Sequence, residues 1–266
     1  VNEDRSMNAL PIDGVAAQGS GARSTSTAGV DRSAAAKRVA EARAAAAARP
    51  AGPASKRRFT PTARQIAGLK VAVFALALVP VARLAWLAVA ERLGANPIET
   101  ITRSTGWWTL AFLAITLAVT PARRLFDAPW LLRLRRMLGL FAWFHAALHL
   151  TTYLWLDQFF DWGEIVRDIV KRPFITVGFA AFVLMTPLAA TSANRIVKWM
   201  GAQRWLWLHR AIYVIAILGV VHFWWLVKKD VTEPAWFAVV IGALLAVRVW
   251  WKVRERASLR LAQTGR

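Results

Sequence analysis

Four histidines, His145, His149, His209 and His222, are the side chains of this sequence best suited to holding a metal. There is no cysteine, which excludes disulfides, iron–sulfur clusters and thiolate-bound zinc. All four histidines lie inside long apolar runs, and none is in a loop or tail. An ionisable group within a membrane span is costly and usually faces the bundle interior, so each is a functional candidate. Neutral imidazole is a good axial ligand for haem iron, and an apolar pocket suits the macrocycle. Ligation by two histidines fills the iron and leaves electron transfer rather than oxygen chemistry. The competing reading is a histidine that bridges helices or lines a proton path, and for one isolated histidine it is the better one. Four histidines confined to two spans that run in the same direction favour haem.

Their spacing sets limits. His209 and His222 are 13 residues apart, roughly 20 Å along a helix axis and about 140° apart around it. In a hydrocarbon core of about 30 Å this separates two layers, and a flat wall holding both needs a bend or a shift of register. His145 and His149 are one turn apart on one face, about 6 Å in height. Position 13 before His149 is Arg136 and position 13 after it is Trp162. The pattern therefore supports one well-made haem site more firmly than two, with His145 the weakest of the four.

The elements that must carry these residues are six apolar runs, at about 66–90, 104–121, 138–156, 174–190, 205–227 and 235–251. A span needs roughly 20 residues, with 17 to 25 tolerated. The runs are continuous rather than alternating, which indicates an all-α polytopic membrane bundle of six transmembrane helices. Composition agrees: 57% of residues are hydrophobic, yet Lys and Arg number 35 against 15 Asp and Glu. The excess basic charge lies between the apolar runs, which is a membrane pattern and argues against nucleic acid. Arg123, Arg124, Arg133, Arg135, Arg136, Arg195, Lys198 and Arg204 fall in loops on the side of both termini, whereas the opposite loops are diluted by acids such as Asp157, Asp161, Glu164 and Asp168. The positive-inside rule then places the N and C termini in the cytoplasm.

Residues 1–60 are expected to be a disordered cytoplasmic tail, with transient helix near 42–48, because they lack periodic large apolar residues. No apolar core precedes a small-residue cleavage site, so no secretory signal is expected there. Val1 precedes the first methionine, Met7, as a non-AUG start or a start further in would explain. The transmembrane domain is expected over 61–255, followed by a basic tail at 256–266.

Other residues carry less. Trp205, Trp207, Trp224 and Trp225 flank the fifth run, where interfacial anchoring accounts for them. Arg83 and Arg210 could meet a haem propionate or a flavin phosphate, or could simply snorkel. No Gly-rich dinucleotide fingerprint follows a strand, so electrons from a nicotinamide must come through a partner.

Several motifs stand in order: Thr105-Gly106, Leu117-Ala118-Val119-Thr120-Pro121, Arg135-Arg136-Met137-Leu138-Gly139-Leu140, Leu148-His149-Leu150-Thr151-Thr152-Tyr153, Arg172-Pro173-Phe174, Leu208-His209-Arg210 and Val221-His222-Phe223-Trp224-Trp225. Together they resemble the haem-binding membrane subunit of the periplasmic methionine sulfoxide reductase system, the MsrQ (YedZ) family, within the ferric reductase-like transmembrane group. The resemblance covers about residues 60–255. It implies a b-type haem protein, with one or two haems, that also binds FMN in the bacterial inner membrane. It further implies that electrons come from a cytoplasmic flavin reductase or the quinone pool and go to MsrP, a periplasmic molybdopterin enzyme that repairs oxidised methionine. The family's haem histidines carry over to His149, His209 and His222; His145 lies outside the motif. On this basis His149 and His222 are expected to share a haem toward the periplasm, with His209 where electrons enter. The chain is then an electron-transfer subunit rather than a complete enzyme. The rivals are a ferric reductase or quinone-linked cytochrome b and, from another class, a proton-relaying transporter or assembly protein.

Overall fold

The computed structural model describes residues 27–47 and 60–264. The chain divides between Arg57 and Arg58 into two units, each considered by itself. In the first, α1 (Thr27–Ala47) is longer than the transient helix expected near 42–48. Its alanines are the best helix formers, and its described side chains are exposed.

In the second unit every regular element is helical among the described residues. Helix α2 (Ala63–Val89) starts at a capping box: Thr62 Oγ1 accepts from the Gln65 amide at 3.3 Å, and Gln65 Oε1 accepts from the Thr62 amide at 2.8 Å. Helix α3 (Pro97–Leu125) is longer than the apolar run that announced it. Asn96 accepts from the Glu99 amide at 3.2 Å and Pro97 occupies the first turn, so the helix begins in a polar segment that hydropathy does not register. Next come α4 (Leu132–Thr151), a π-helical segment (Thr152–Asp157), α5 (Trp162–Lys171) and α6 (Pro173–Ala190). The short α7 (Asn194–Met200) and α8 (Ala202–Leu208) lead into α9 (Ala211–Leu226) and α10 (Thr232–Thr264). The last helix continues well past its apolar run, through the segment read as a basic tail.

Five elements are long and apolar enough to cross a membrane: α2, α3, α6, the α8–α9 unit and α10. The remaining expected span is α4, whose first turns hold Arg133, Arg135 and Arg136. It runs alongside α3, with Phe112 stacked on Phe141 at 5.7 Å. The fold is an all-α polytopic membrane bundle. α3, α4, α6, α9 and α10 neighbour one another in a ring, α10 closing it against α3, and α2 lies against α3 and α4. Leu113, Leu117, Ile215 and Ala216 fill the interior, while Val71, Leu76, Trp86, Ile217 and Val239 point outward, as a lipid-facing surface requires.

Two details depart from the sequence reading. The fifth run is not one regular helix but breaks at His209–Arg210, between α8 and α9. The segment between the third and fourth runs is not simply a loop, because it carries α5. That helix is capped by Asp161, which accepts from the Glu164 amide at 3.1 Å, and it buries Ile165 and Asp168 on one face.

Candidate functional site

His149 comes from the C-terminal end of α4 and His222 from the last turns of α9, and the bundle brings them together. Their ring centres are 6.1 Å apart, with the planes inclined at 77°. Each ring is fixed through Nδ1 to a backbone carbonyl of a neighbouring helix. His149 Nδ1 lies 2.9 Å from the Thr102 oxygen on α3, and His222 Nδ1 lies 2.7 Å from the Phe174 oxygen on α6. A carbonyl can only accept, so both Nδ1 atoms carry the proton and both Nε2 atoms keep a free lone pair. That tautomer is the one a metal needs, and a histidine that ligates through one nitrogen normally donates its other N–H in this way.

Glycines make room for the rings. A Cβ at Gly106 on α3 would sit 3.1 Å from His149 Cε1, and one at Gly178 on α6 would sit 2.6 Å from His222 Nδ1. The two imidazoles therefore lie directly on the backbones of α3 and α6. Two imidazole nitrogens on opposite faces of one iron, each at about 2 Å, place the ring centres roughly 6 Å apart. The observed spacing fits that arrangement, and so does the donor set of two neutral imidazoles in apolar surroundings.

His209 stands at the break between α8 and α9, at the end of the bundle where α2 starts and α10 ends. Its Nδ1 is 3.0 Å from the Trp205 oxygen, and its ring stacks on Trp205 at 3.9 Å. The charges of Arg135 and Arg136 reach it from α4. The turn here is overwound: the amides of Arg210, Ile212 and Tyr213 reach carbonyls three residues back, those of Trp207, His209 and Arg210. A 3₁₀ turn adds about 20° per residue, so three such residues reduce the expected 140° offset of His209 from His222 to about 80°. The overwound turn at His209 thus narrows the offset without removing it.

His145 does not join this pair. It is 1% exposed, its Nδ1 is 2.9 Å from the Phe141 oxygen of its own helix, and its ring lies 4.9 Å from Phe112 and 5.4 Å from Phe144. Its Nε2 is buried and has no hydrogen-bond partner among the described residues. Arg83 and Arg210 both have exposed side chains. The sequence reading missed the carbonyls of Thr102 and Phe174, Gly178, and Arg248, a half-buried cation within the sixth run; it noted Gly106 in a motif but gave it no role. Only Arg248 had a signal to read, an arginine between Val247 and Val249 in an apolar segment.

Residues 105–220 match the family model for the ferric reductase like transmembrane component. A protein of Herminiimonas arsenicoxydans named protein-methionine-sulfoxide reductase heme-binding subunit MsrQ is 55% identical over 201 residues, covering 75% of this chain and 92% of its own length. Proteins of the same name from Ralstonia nicotianae and Bordetella pertussis are 53% and 48% identical, covering 71% and 74% of this chain and 88% and 97% of theirs. No solved structure matches.

Proposed function

This chain belongs to the MsrQ family of heme-binding subunits of protein-methionine-sulfoxide reductase, and we propose that it carries electrons across the bacterial inner membrane to a periplasmic sulfoxide reductase. The observation that supports this reading best is the His149–His222 pair, 6.1 Å apart, with each Nδ1 engaged by a carbonyl of a third helix. His149 and His222 hold a b-type haem between them in this proposal, and His209 holds a second or shared one nearer the cytoplasm. Haem supplies a carrier that takes and gives one electron at a time.

The protein's own residues do the rest. The Thr102 and Phe174 carbonyls set the tautomer of their histidines and raise the basicity of Nε2. With His149 and His222 both holding it, the haem would supply electron transfer rather than oxygen chemistry. Leu110 on α3 and Ala146 on α4 belong to the buried apolar core of the same bundle. No dinucleotide-binding segment is recognisable in the sequence, so a cytoplasmic flavin reductase or a quinone is the proposed donor. MsrP is the proposed acceptor, and FMN is a proposed second cofactor. Both termini lie in the cytoplasm.

The first test is spectroscopic. Purified protein should be red, with a Soret band that shifts and sharpens on dithionite, and pyridine haemochrome gives the haem per chain. A folded but colourless protein would remove the proposal. A second reading is favoured by the match to the ferric reductase-like family: direct reduction of ferric chelates. Rapid reoxidation of the dithionite-reduced protein by an added ferric chelate, with none by MsrP, would select it.

A further inference from the structure

Arg248 occupies an unusual position in α10, one turn before Trp251 and inside the apolar run. It reaches across to α3, where its Nη2 donates to the Leu117 carbonyl. That carbonyl is open for a reason written in the sequence. Its helical donor would be the amide of residue 121, which is proline and has no N–H. Pro121 is thus what allows a guanidinium to dock on α3 in the middle of a packed bundle. The guanidinium carbon also lies 5.7 Å from the centre of the Tyr213 ring on α9, one turn beyond His209.

Docking uses only part of the guanidinium. Arg248 Nη1 is buried and has no hydrogen-bond partner, and no ion pair joins Arg248 to a carboxylate among the described residues. Glu255, further along the same helix, is 3.0 Å from Arg124 instead. The one side chain placed beside the guanidinium is the Tyr213 ring, which carries no anion to pair with it. Arg248 therefore stands in the layer of Tyr213, one turn from His209, with a buried N–H that has no partner among the described residues. Burying part of an unpaired cation is unfavourable unless an anion completes the site.

We propose that Arg248, anchored on the carbonyl that Pro121 leaves free, binds an anionic oxygen group of a cofactor seated beside His209. The group is a haem propionate carboxylate or a flavin phosphate; guanidinium N–H donors suit both. The inference rests on the haem reading only for the first of these.

The test uses the full-length protein in lipid nanodiscs, as wild type, R248Q, R248K and P121A. P121A matters because it keeps the charge. A restored amide at position 121 competes for the Leu117 oxygen and releases Arg248 from its anchor. Two readouts are taken, haem per chain by pyridine haemochrome and the affinity for added FMN by fluorescence quenching, with thermal unfolding as the folding control. A loss of at least one third of the haem in R248Q, partly restored in R248K and partly reproduced in P121A, assigns the carboxylate. Unchanged haem with an FMN affinity lowered tenfold or more assigns the phosphate. Both readouts unchanged in R248Q overturns the proposal. Where R248Q does not fold, P121A decides in the same way, a change supporting the site and none overturning it. Colourless wild-type protein that still binds FMN through Arg248 would sink the haem reading and leave this one standing.

Discussion

A methyl group at Gly178 would lie 2.6 Å from Nδ1 of His222, inside any tolerable contact, whereas one at Gly106 would meet His149 at 3.1 Å. The two positions should therefore differ in their response. Gly178→Ala must push His222 off the Phe174 carbonyl, and we expect haem content to fall almost as far as in His222→Ala. Gly106→Ala asks only a few tenths of an ångström and should retain most of the haem. Pyridine haemochrome on the two variants checks the order, and equal retention would show that the His222 ring is not held as described. On the same assay His149→Ala and His222→Ala should lose most haem and His145→Ala little, because His145 faces Phe112 rather than the pair. The histidines were legible as ligands because they are the few ionisable groups in apolar runs. The carbonyls and glycines that fix them were not, since which backbone lies beside a ring depends on packing between helices far apart in the chain.

The helices that hold the pair are secured, at the end of the bundle away from the start of α2, by a buried carboxylate. Asp168 on α5 accepts from Tyr153 Oη at 3.3 Å and Gln158 Nε2 at 3.4 Å, both in the stretch that follows His149, and it pairs with Arg172 Nε at 3.2 Å, just before α6. One side chain thus ties the π-helical segment after α4 to the start of α6, the helix that supplies the His222 anchor. Asp168→Ala would leave the half-buried Tyr153 hydroxyl without its acceptor, at about 1 kcal/mol, and would release Arg172, while Gln158 keeps Asp157 as an acceptor. The expected result is a lowered thermal midpoint, with the Soret band lost before tryptophan fluorescence changes. Coincident loss of both signals, at the wild-type temperature, would show that the link is not structural. Hydropathy located the spans but neither α5 nor the break at His209. α5 is too short and too polar on one face for a span-sized window, and a 3₁₀ turn leaves the apolar composition of its run unaltered.

At the scale of the whole molecule the basic residues are distributed asymmetrically, and this asymmetry has a testable consequence. The loops at the end where α2 starts hold Arg123, Arg124, Arg133, Arg135, Arg136, Arg195, Lys198 and Arg204, and the last helix extends on that side with Lys252, Arg254 and Arg256. With α4 counted as the sixth pass, the start of α2 and the end of α10 lie at the same end, and the proposal, following the positive-inside rule, puts that end in the cytoplasm. Since His149 and His222 lie toward the other end, the proposed direction of electron flow stands or falls with this orientation. The chain contains no cysteine, so single cysteines report without background. Ser258 on α10 and Lys229 in the loop before it are both exposed. In sealed right-side-out vesicles, a membrane-impermeant maleimide should label Lys229→Cys and spare Ser258→Cys, and inverted vesicles should reverse the pattern. The opposite result would put the His149–His222 pair on the cytoplasmic side and require electrons to enter where we have them leave.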